Sequence, residues 1–195
     1  MSEIAETIRV SWRLEAMAVE EFISYITSEL IEQVQDTAIE QLIYGKGADS
    51  NEMRGATTDA IKHSYTGTAL DAVGEALKKL GKKLKIGAKI YLSQSTVEEI
   101  CFMKDDNGNY IHNPINGVGI NSIAGYPVEV EPYLNDDDFV IGNMGRYYRI
   151  NTVEALTLAR DTSGKNRAND YTAYTITAGA AQPNTLVHAS KKASS

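Results

Sequence analysis

A single cysteine, Cys101, is all the thiol chemistry the sequence holds, and it excludes an intrachain disulfide framework. Its neighbours, Glu99-Ile100-Cys101-Phe102-Met103, fit a helix and make it a buried packing residue instead of a reactive one. No apolar run reaches the roughly 20 residues that a helix needs to cross a bilayer, and the mean hydropathy is -0.29, so no membrane association is expected. Residues 1–9 are polar and acidic and lack the basic start and apolar stretch of a secretion signal, which places the chain in the cytoplasm where it is made. Cationic excess is missing too. With 19 Lys and Arg against 26 Asp and Glu, a net charge of -7 and a pI near 5.0, a dedicated DNA-binding domain is disfavoured, because such domains displace counterions with surplus cations.

What is present is an ordinary α+β composition, 43% hydrophobic and 23% charged over 195 residues. A chain of this length buries about 70% of its unfolded surface, enough for one folded body of one or two lobes. Residues 8–13 look extended, and a long helix begins near Glu15. Apolar side chains at Val19, Phe22, Ile23, Ile26, Leu30, Ile31, Val34, Ala38, Leu42 and Ile43 keep helical spacing for about seven turns. They form two adjacent stripes, 22-26-30-34-38-42 and 19-23-31-39-43, so the apolar face is broad and slowly rotating and needs an oblique partner. Gly45-Lys46-Gly47 ends the helix, and 48–58 reads as a surface loop. A second helix over 68–80 ends at Gly81, where six lysines between Lys78 and Lys89 suit a helix C-terminus. Residues 88–92 form a short strand, and Ser95-Thr96-Val97-Glu98 offers a capping box for a third helix reaching Lys104. Short strands follow at 126–131, 139–142, 153–160, 171–177 and 185–188. Leu156 and Leu158 are expected to meet Tyr174 and Ile176 in a long antiparallel hairpin.

Motifs that carry chemistry are scarce. His63, His112 and His188 lie far apart with no carboxylate or cysteine at a metal-ligand spacing. Asp105-x-Asn107-x-Asn109 opens like a calcium loop, but Tyr110 and Asn116 stand where glycine and glutamate are needed. Asp136-Asp137-Asp138 are consecutive and do not converge easily on one cation, which favours a solvated turn. Gly45-x-Gly47 and Gly117-x-Gly119 lack the strand-to-helix context of a phosphate cradle, and no nucleophile elbow is present. No catalytic, cofactor-binding or metal-binding residue is therefore assigned, no cofactor is expected, and the chain is read as a protein that is not an enzyme.

The order of features resembles the tailed-bacteriophage major capsid protein family. A long helix ending in Glu40-Gln41-Leu42-Ile43-Tyr44-Gly45-Lys46-Gly47 is similar to that family's spine helix and glycine-rich exit, with Lys46 in place of the acidic residue often found there. Lys89-Ile90-Tyr91-Leu92-Ser93, then Met103-Lys104-Asp105-Asp106-Asn107-Gly108-Asn109-Tyr110-Ile111, then Ile123-Ala124-Gly125-Tyr126-Pro127-Val128 resemble the family's central block. Gly145-Arg146-Tyr147-Tyr148-Arg149-Ile150 looks like the aromatic segment that follows it. The similarity runs over about 8–190. The family's amino-terminal arm and long E-loop have no counterpart, so the sequence is read as a shortened form.

The resemblance implies a phage major capsid fold, α+β, with a spine helix and antiparallel hairpin as a peripheral domain (1–47 and 153–183). A mixed helix and sheet axial domain (48–152 and 184–190) and a polar tail (191–195) complete it. It implies a head protein of a tailed phage or prophage that joins copies of itself into hexamers and pentamers, building an icosahedral shell around DNA. Assembly would take place in the bacterial host cytoplasm, the chain ending in the virion capsid, with a scaffolding protein, a maturation protease and a portal as possible partners and DNA only an indirect one. Without arm or E-loop, monomers or small oligomers are expected of this chain alone. Contact surfaces are expected at the loops 117–124 and 135–138 and at the hairpin tip 162–168. Two alternatives stand beside this reading: an encapsulin-type nanocompartment shell, and a metal-dependent hydrolase using Asp136, Asp137 and Asp138.

Overall fold

The computed structural model describes residues 2–17, 20–105, 107–111 and 120–192. In chain order the elements are β1 (Ser2–Ser11), α1 (Trp12–Met17), α2 (Glu20–Tyr44), a 3-10 turn (Ala48–Ser50), β2 (Ile61–Tyr65), α3 (Ala69–Lys79), β3 (Lys89–Leu92) and α4 (Gln94–Cys101). There follow β4 (Ser122–Ile123), β5 (Tyr126–Val130), β6 (Asp138–Gly142), α5 (Met144–Tyr147), β7 (Tyr148–Ser163), β8 (Ala168–Ala181) and β9 (Val187–Lys191). They sort into two units, Met1–Gly55 with Ile150–Ala180, and Ala56–Arg149 with Ala181–Ser195.

In the first unit, a three-stranded sheet of order β1-β8-β7 covers the apolar face of α2. The helix supplies the bulk: Leu30 and Val34 are buried, with Ile23, Ile26, Ile31, Ala38 and Leu42 packed beside them. From the sheet come Ile4 and Val10 of β1, Tyr171 and Ala173 of β8, and Leu156 of β7. Leu30 thus shares one core with residues encoded some 140 positions later. Phe22 and Tyr25 lie exposed, because the rotating stripe turns away from the sheet at that end of the helix. Val19 lies outside the described residues.

Three expectations are corrected here. The strand at the start of the chain runs over Ser2–Ser11, and Trp12 and Arg13 begin a helix. Strand β1 pairs antiparallel with β8 from Ser2↔Thr177 to Ser11↔Ala168, so Ile4, Ile8 and Val10 face the helix while Thr7 and Arg9 bond Thr172 and Asp170 on the far side. On β8 the inward set is Tyr171, Ala173, Thr175 and Thr177; Tyr174 and Ile176 occupy the other face, and Leu158 is 46% exposed. Side chains alternate strictly along a strand, so one inward residue fixes the rest. Finally, 48–58 is more than surface loop: Met53, Ala56 and Thr57 are buried.

The second unit is built on a six-stranded sheet of order β2-β9-β6-β3-β5-β4. Pairs β2–β9 and β3–β5 are parallel, and β9–β6, β6–β3 and β5–β4 antiparallel. Helix α3 is capped by Thr68, whose hydroxyl accepts from the Asp71 N–H, and it buries Ala69, Ala72, Val73, Ala76 and Leu77. Lys78 and Lys79 do end it, Lys82, Lys83 and Lys85 follow in the turn before β3, and Lys89 opens that strand. The cap of α4 is Ser93, not Ser95, and the helix stops at Cys101 instead of Lys104, which bridges to Tyr110. Cys101 is 2% exposed in the core. Strand β2 and the short β4 and α5 had no clear periodic signal. The two-residue turn between β4 and β5 sets Ala124 at φ 50° and Gly125 at φ 81°, the arrangement of a type I′ hairpin. Gly125→Val has open space around it but the wrong backbone, so it should cost about 1–3 kcal/mol in urea unfolding; no loss would remove the turn's reason for glycine.

Candidate assembly surfaces

At the distal end of the β7–β8 hairpin, Glu15 of α1 gathers three donors. Its carboxylate accepts from Arg160 at 2.7 Å, from the Tyr171 hydroxyl at 2.7 Å and from the Asn169 side-chain amide. These bonds, the Tyr171 hydroxyl foremost, hold Glu15 below the usual carboxylate range. The Trp12 N–H also donates to the Arg167 carbonyl at 2.9 Å. Helix α1 therefore braces the hairpin, and the tip itself, Gly164, Lys165, Asn166 and Arg167, is left exposed. This is where the sequence placed one contact surface.

The turn 135–138 divides its three aspartates among separate tasks. Asp138 is 8% exposed and its carboxylate lies 3.2 Å from His188 Nε2; Asp137 lies 3.3 Å from Lys191 Nζ and its carbonyl accepts from the Tyr65 hydroxyl; Asp136 is exposed. Lys62 Nζ donates to the Thr57 carbonyl at 2.6 Å and meets His188 Nδ1 at 3.2 Å. An ammonium only donates, so Nδ1 accepts and the proton of His188 sits on Nε2, facing Asp138. Burial pushes Lys62 below the ordinary lysine range, with Asp138 opposing. Among the described residues no group of three or more His, Cys, Asp or Glu is placed to hold a metal ion.

His63, next along β2, points under α3. Its Nδ1 meets Lys79 Nζ at 2.9 Å, and Nε2, 3.5 Å from Glu75, has no hydrogen-bond partner. Burial first, then Lys79, holds its pKa below the ordinary value of 6.5, with Glu75 opposing. A depressed folded pKa means that the neutral ring's contribution is complete above about pH 6.5 and is lost as pH falls, because the unfolded chain binds the proton first. Thermal midpoints of the native chain should therefore drop more steeply between pH 7 and 5 than those of His63→Gln; parallel curves would contradict this.

In the turn after α4, Asp105 accepts the N–H groups of Asn107 at 2.9 Å and Asn109 at 2.8 Å. Those bonds hold its carboxyl below the usual range and use it to shape the turn. Phe102 and Tyr110 are exposed beside it, edge to face at 6.4 Å between centroids, with Lys104 Nζ 4.7 Å from the Tyr110 centroid. Of the loop 117–124, only 120–124 is described. His112, Asn116, Gly117 and Gly119 lie outside the described residues.

One surface escaped the sequence. Strand β7 is an edge strand, and Ile150 (55%), Val153 (55%) and Leu158 (46%) stand exposed along it. At its foot an apolar hollow of about 120 Å³ is lined by Ala38, Ile39, Leu42, Met53, Ile150 and Thr177. The signal was present in the uncharged composition of 150–153 and 155–159, but hydrophobicity alone does not say which side of a strand faces solvent.

The model of a protein family described as the phage capsid family matches residues 1–191. No curated protein matches the chain. Among solved structures, the capsid of an empty GTA particle superposes with a TM-score of 0.83 at 18% identity, covering 98% of this chain and 74% of that one. A structure titled Gordonia phage Cozz gives 0.79 at 14% identity, covering 98% and 70%, and a virus-like particle from Pyrococcus furiosus gives 0.61 at 11%, covering 96% and 75%. No helix among the described residues is long and apolar enough to cross a membrane.

Proposed function

Because the chain belongs to the phage capsid family, we propose that it is the major capsid subunit of a tailed phage or prophage, a structural protein that joins copies of itself into pentamers and hexamers of an icosahedral shell enclosing DNA. The observation that carries the reading is the single core shared by the spine helix α2 and the distant hairpin β7–β8, in the arrangement seen in solved capsids. In this reading the first unit is the peripheral domain and the second the axial domain. A shell is made by repeating modest interfaces, so shape and exposed edges do the work that a reactive cleft does elsewhere. Scaffolding protein, maturation protease and portal would meet the outer surfaces during assembly in the bacterial cytoplasm, and the packaged DNA would be an indirect partner. The nanocompartment reading has less support, because the family model that matches residues 1–191 is that of the phage capsid family.

Size-exclusion chromatography with negative-stain microscopy tests the proposal. Small ring-shaped oligomers of five or six copies are expected at high concentration. Closed shells formed by this chain alone contradict the expectation of monomers or small oligomers, and co-purification with a cargo enzyme opposes the phage reading.

A further inference from the structure

We propose that the outer edge of β7, over residues 150–159, is a strand-pairing surface for a second copy of this chain, with the apolar hollow at its foot taking one of the partner's aliphatic side chains. The inference rests on the shell-subunit reading and adds to it the place where copies join.

Strand β7 is 16 residues long and, among the described residues, is hydrogen-bonded to a neighbour strand on one side only. An open edge of that length presents a row of backbone N–H and C=O groups, and proteins that remain monomeric protect such edges with lysine, proline, bulges or brevity. Residues 150–159 read Ile-Asn-Thr-Val-Glu-Ala-Leu-Thr-Leu-Ala, without lysine or proline. Their one charge, Glu154, is engaged by its own sheet: its carboxylate accepts the Tyr174 hydroxyl at 2.9 Å, and its carbonyl accepts from the Thr175 hydroxyl. The edge carries exposed apolar side chains along its length: Ile150 borders the hollow, Leu156 packs on the helix-sheet core, and Val153 and Leu158 stand exposed to either side of it in sequence. The hollow beside Ile150, lined also by Ile39 and Leu42, continues the helix-side apolar surface to the foot of the strand.

The occupant follows from the family. Where copies of one chain assemble, the extended segment most available to an open edge belongs to another copy, and pairing along the edge supplies affinity through the main chain while alternate side chains supply fit. The hollow selects an apolar side chain because its lining includes five apolar residues and one threonine.

Hydrogen–deuterium exchange of the full chain over a concentration series, paired with sedimentation velocity, tests this. Amides in 150–160 should gain protection as the native chain self-associates. The double variant Val153→Lys with Leu158→Lys places two lysines along the edge at exposed positions. It should keep the native thermal midpoint and require on the order of tenfold higher concentration to associate. If the native chain associates while 150–160 exchanges as in the monomer, or if the double variant associates unchanged, the edge is not the interface and the shell reading survives. If the native chain never associates at any concentration, the edge proposal falls.

Discussion

Phe139→Ala should cost about 3–5 kcal/mol, most of the stability of an ordinary domain at the lower end of the usual range of about 5–15 kcal/mol. Phe139 is fully buried on β6, a strand every residue of which is buried, and β6 lies inside the six-stranded sheet between β9 and β3. Directly opposite it stand Leu92 on β3 and Ala189 on β9, and the Tyr65 ring lies 5.7 Å away at 43°. Removing the phenyl ring leaves a cavity whose walls are strands hydrogen-bonded on both sides, so collapse around it is limited and the cavity cost adds to the lost transfer energy. The Tyr65 hydroxyl is tied to the Asp137 carbonyl at 2.8 Å, which stops that ring from swinging in to fill the gap. Burial raises its pKa, so the bond persists through the neutral range. Urea unfolding monitored by tyrosine fluorescence or circular dichroism measures the loss. Phe139→Leu, which keeps most of the volume, should cost less than about 1.5 kcal/mol. A loss below about 1 kcal/mol for Phe139→Ala would mean that β6 is not where the core is.

Elements with a long period were legible in the sequence, and elements defined by their partners were not. Helix α2 announced itself because seven turns of spaced leucine, isoleucine and valine leave no other regular structure, whereas the hydroxyls of Ser93, Ser95 and Thr96 offer several caps for α4 and only the packed helix selects Ser93. Strand β1 was hidden by Glu3, Glu6 and Arg9, which lower its apparent hydrophobicity; the signal was the even-numbered series Ile4, Ile8 and Val10. The face of β8 was misread for a different reason. Ala173 and Thr175 lie against a helix that brings its own bulk, so the small residues go inside and the larger Tyr174 and Ile176 go out. Hydrophobicity ranks side chains one at a time, whereas packing fills a fixed gap between two surfaces. The exposed edge of β7 was illegible for the same reason: being an edge depends on which strands are absent beside it, and no local pattern encodes that.

Gly45→Ala is expected to be as damaging as a core deletion although it adds a single methyl group. A Cβ at this position would lie 2.2 Å from the Met53 carbonyl oxygen and 2.4 Å from that of Gln41. Both are backbone atoms held in place: Met53 O accepts the Gly47 N–H at 3.1 Å, and Gln41 O accepts the N–H of Gly45 itself at 2.9 Å. Across the same loop the Gly55 N–H donates to the Gly45 carbonyl at 2.8 Å, and Gln41 Oε1 accepts from both the Met53 N–H and the Ser2 hydroxyl. The methyl group must therefore push Met53 away, and Met53 is 3% exposed within the helix-sheet core, its sulfur 3.1 Å from the Thr177 hydroxyl. Displacing it opens the end of α2 and the β8 face together, at about 3 kcal/mol or more. Space is the cause, not backbone conformation, and a control separates the two. Gly164 in the hairpin turn has nothing within 4 Å of its Cβ position and no positive φ, so Gly164→Ala should be neutral or stabilise by up to about 1 kcal/mol through the unfolded chain. Equal melting of the two variants would show that the glycine-rich exit of the spine helix is not packed against 53–55.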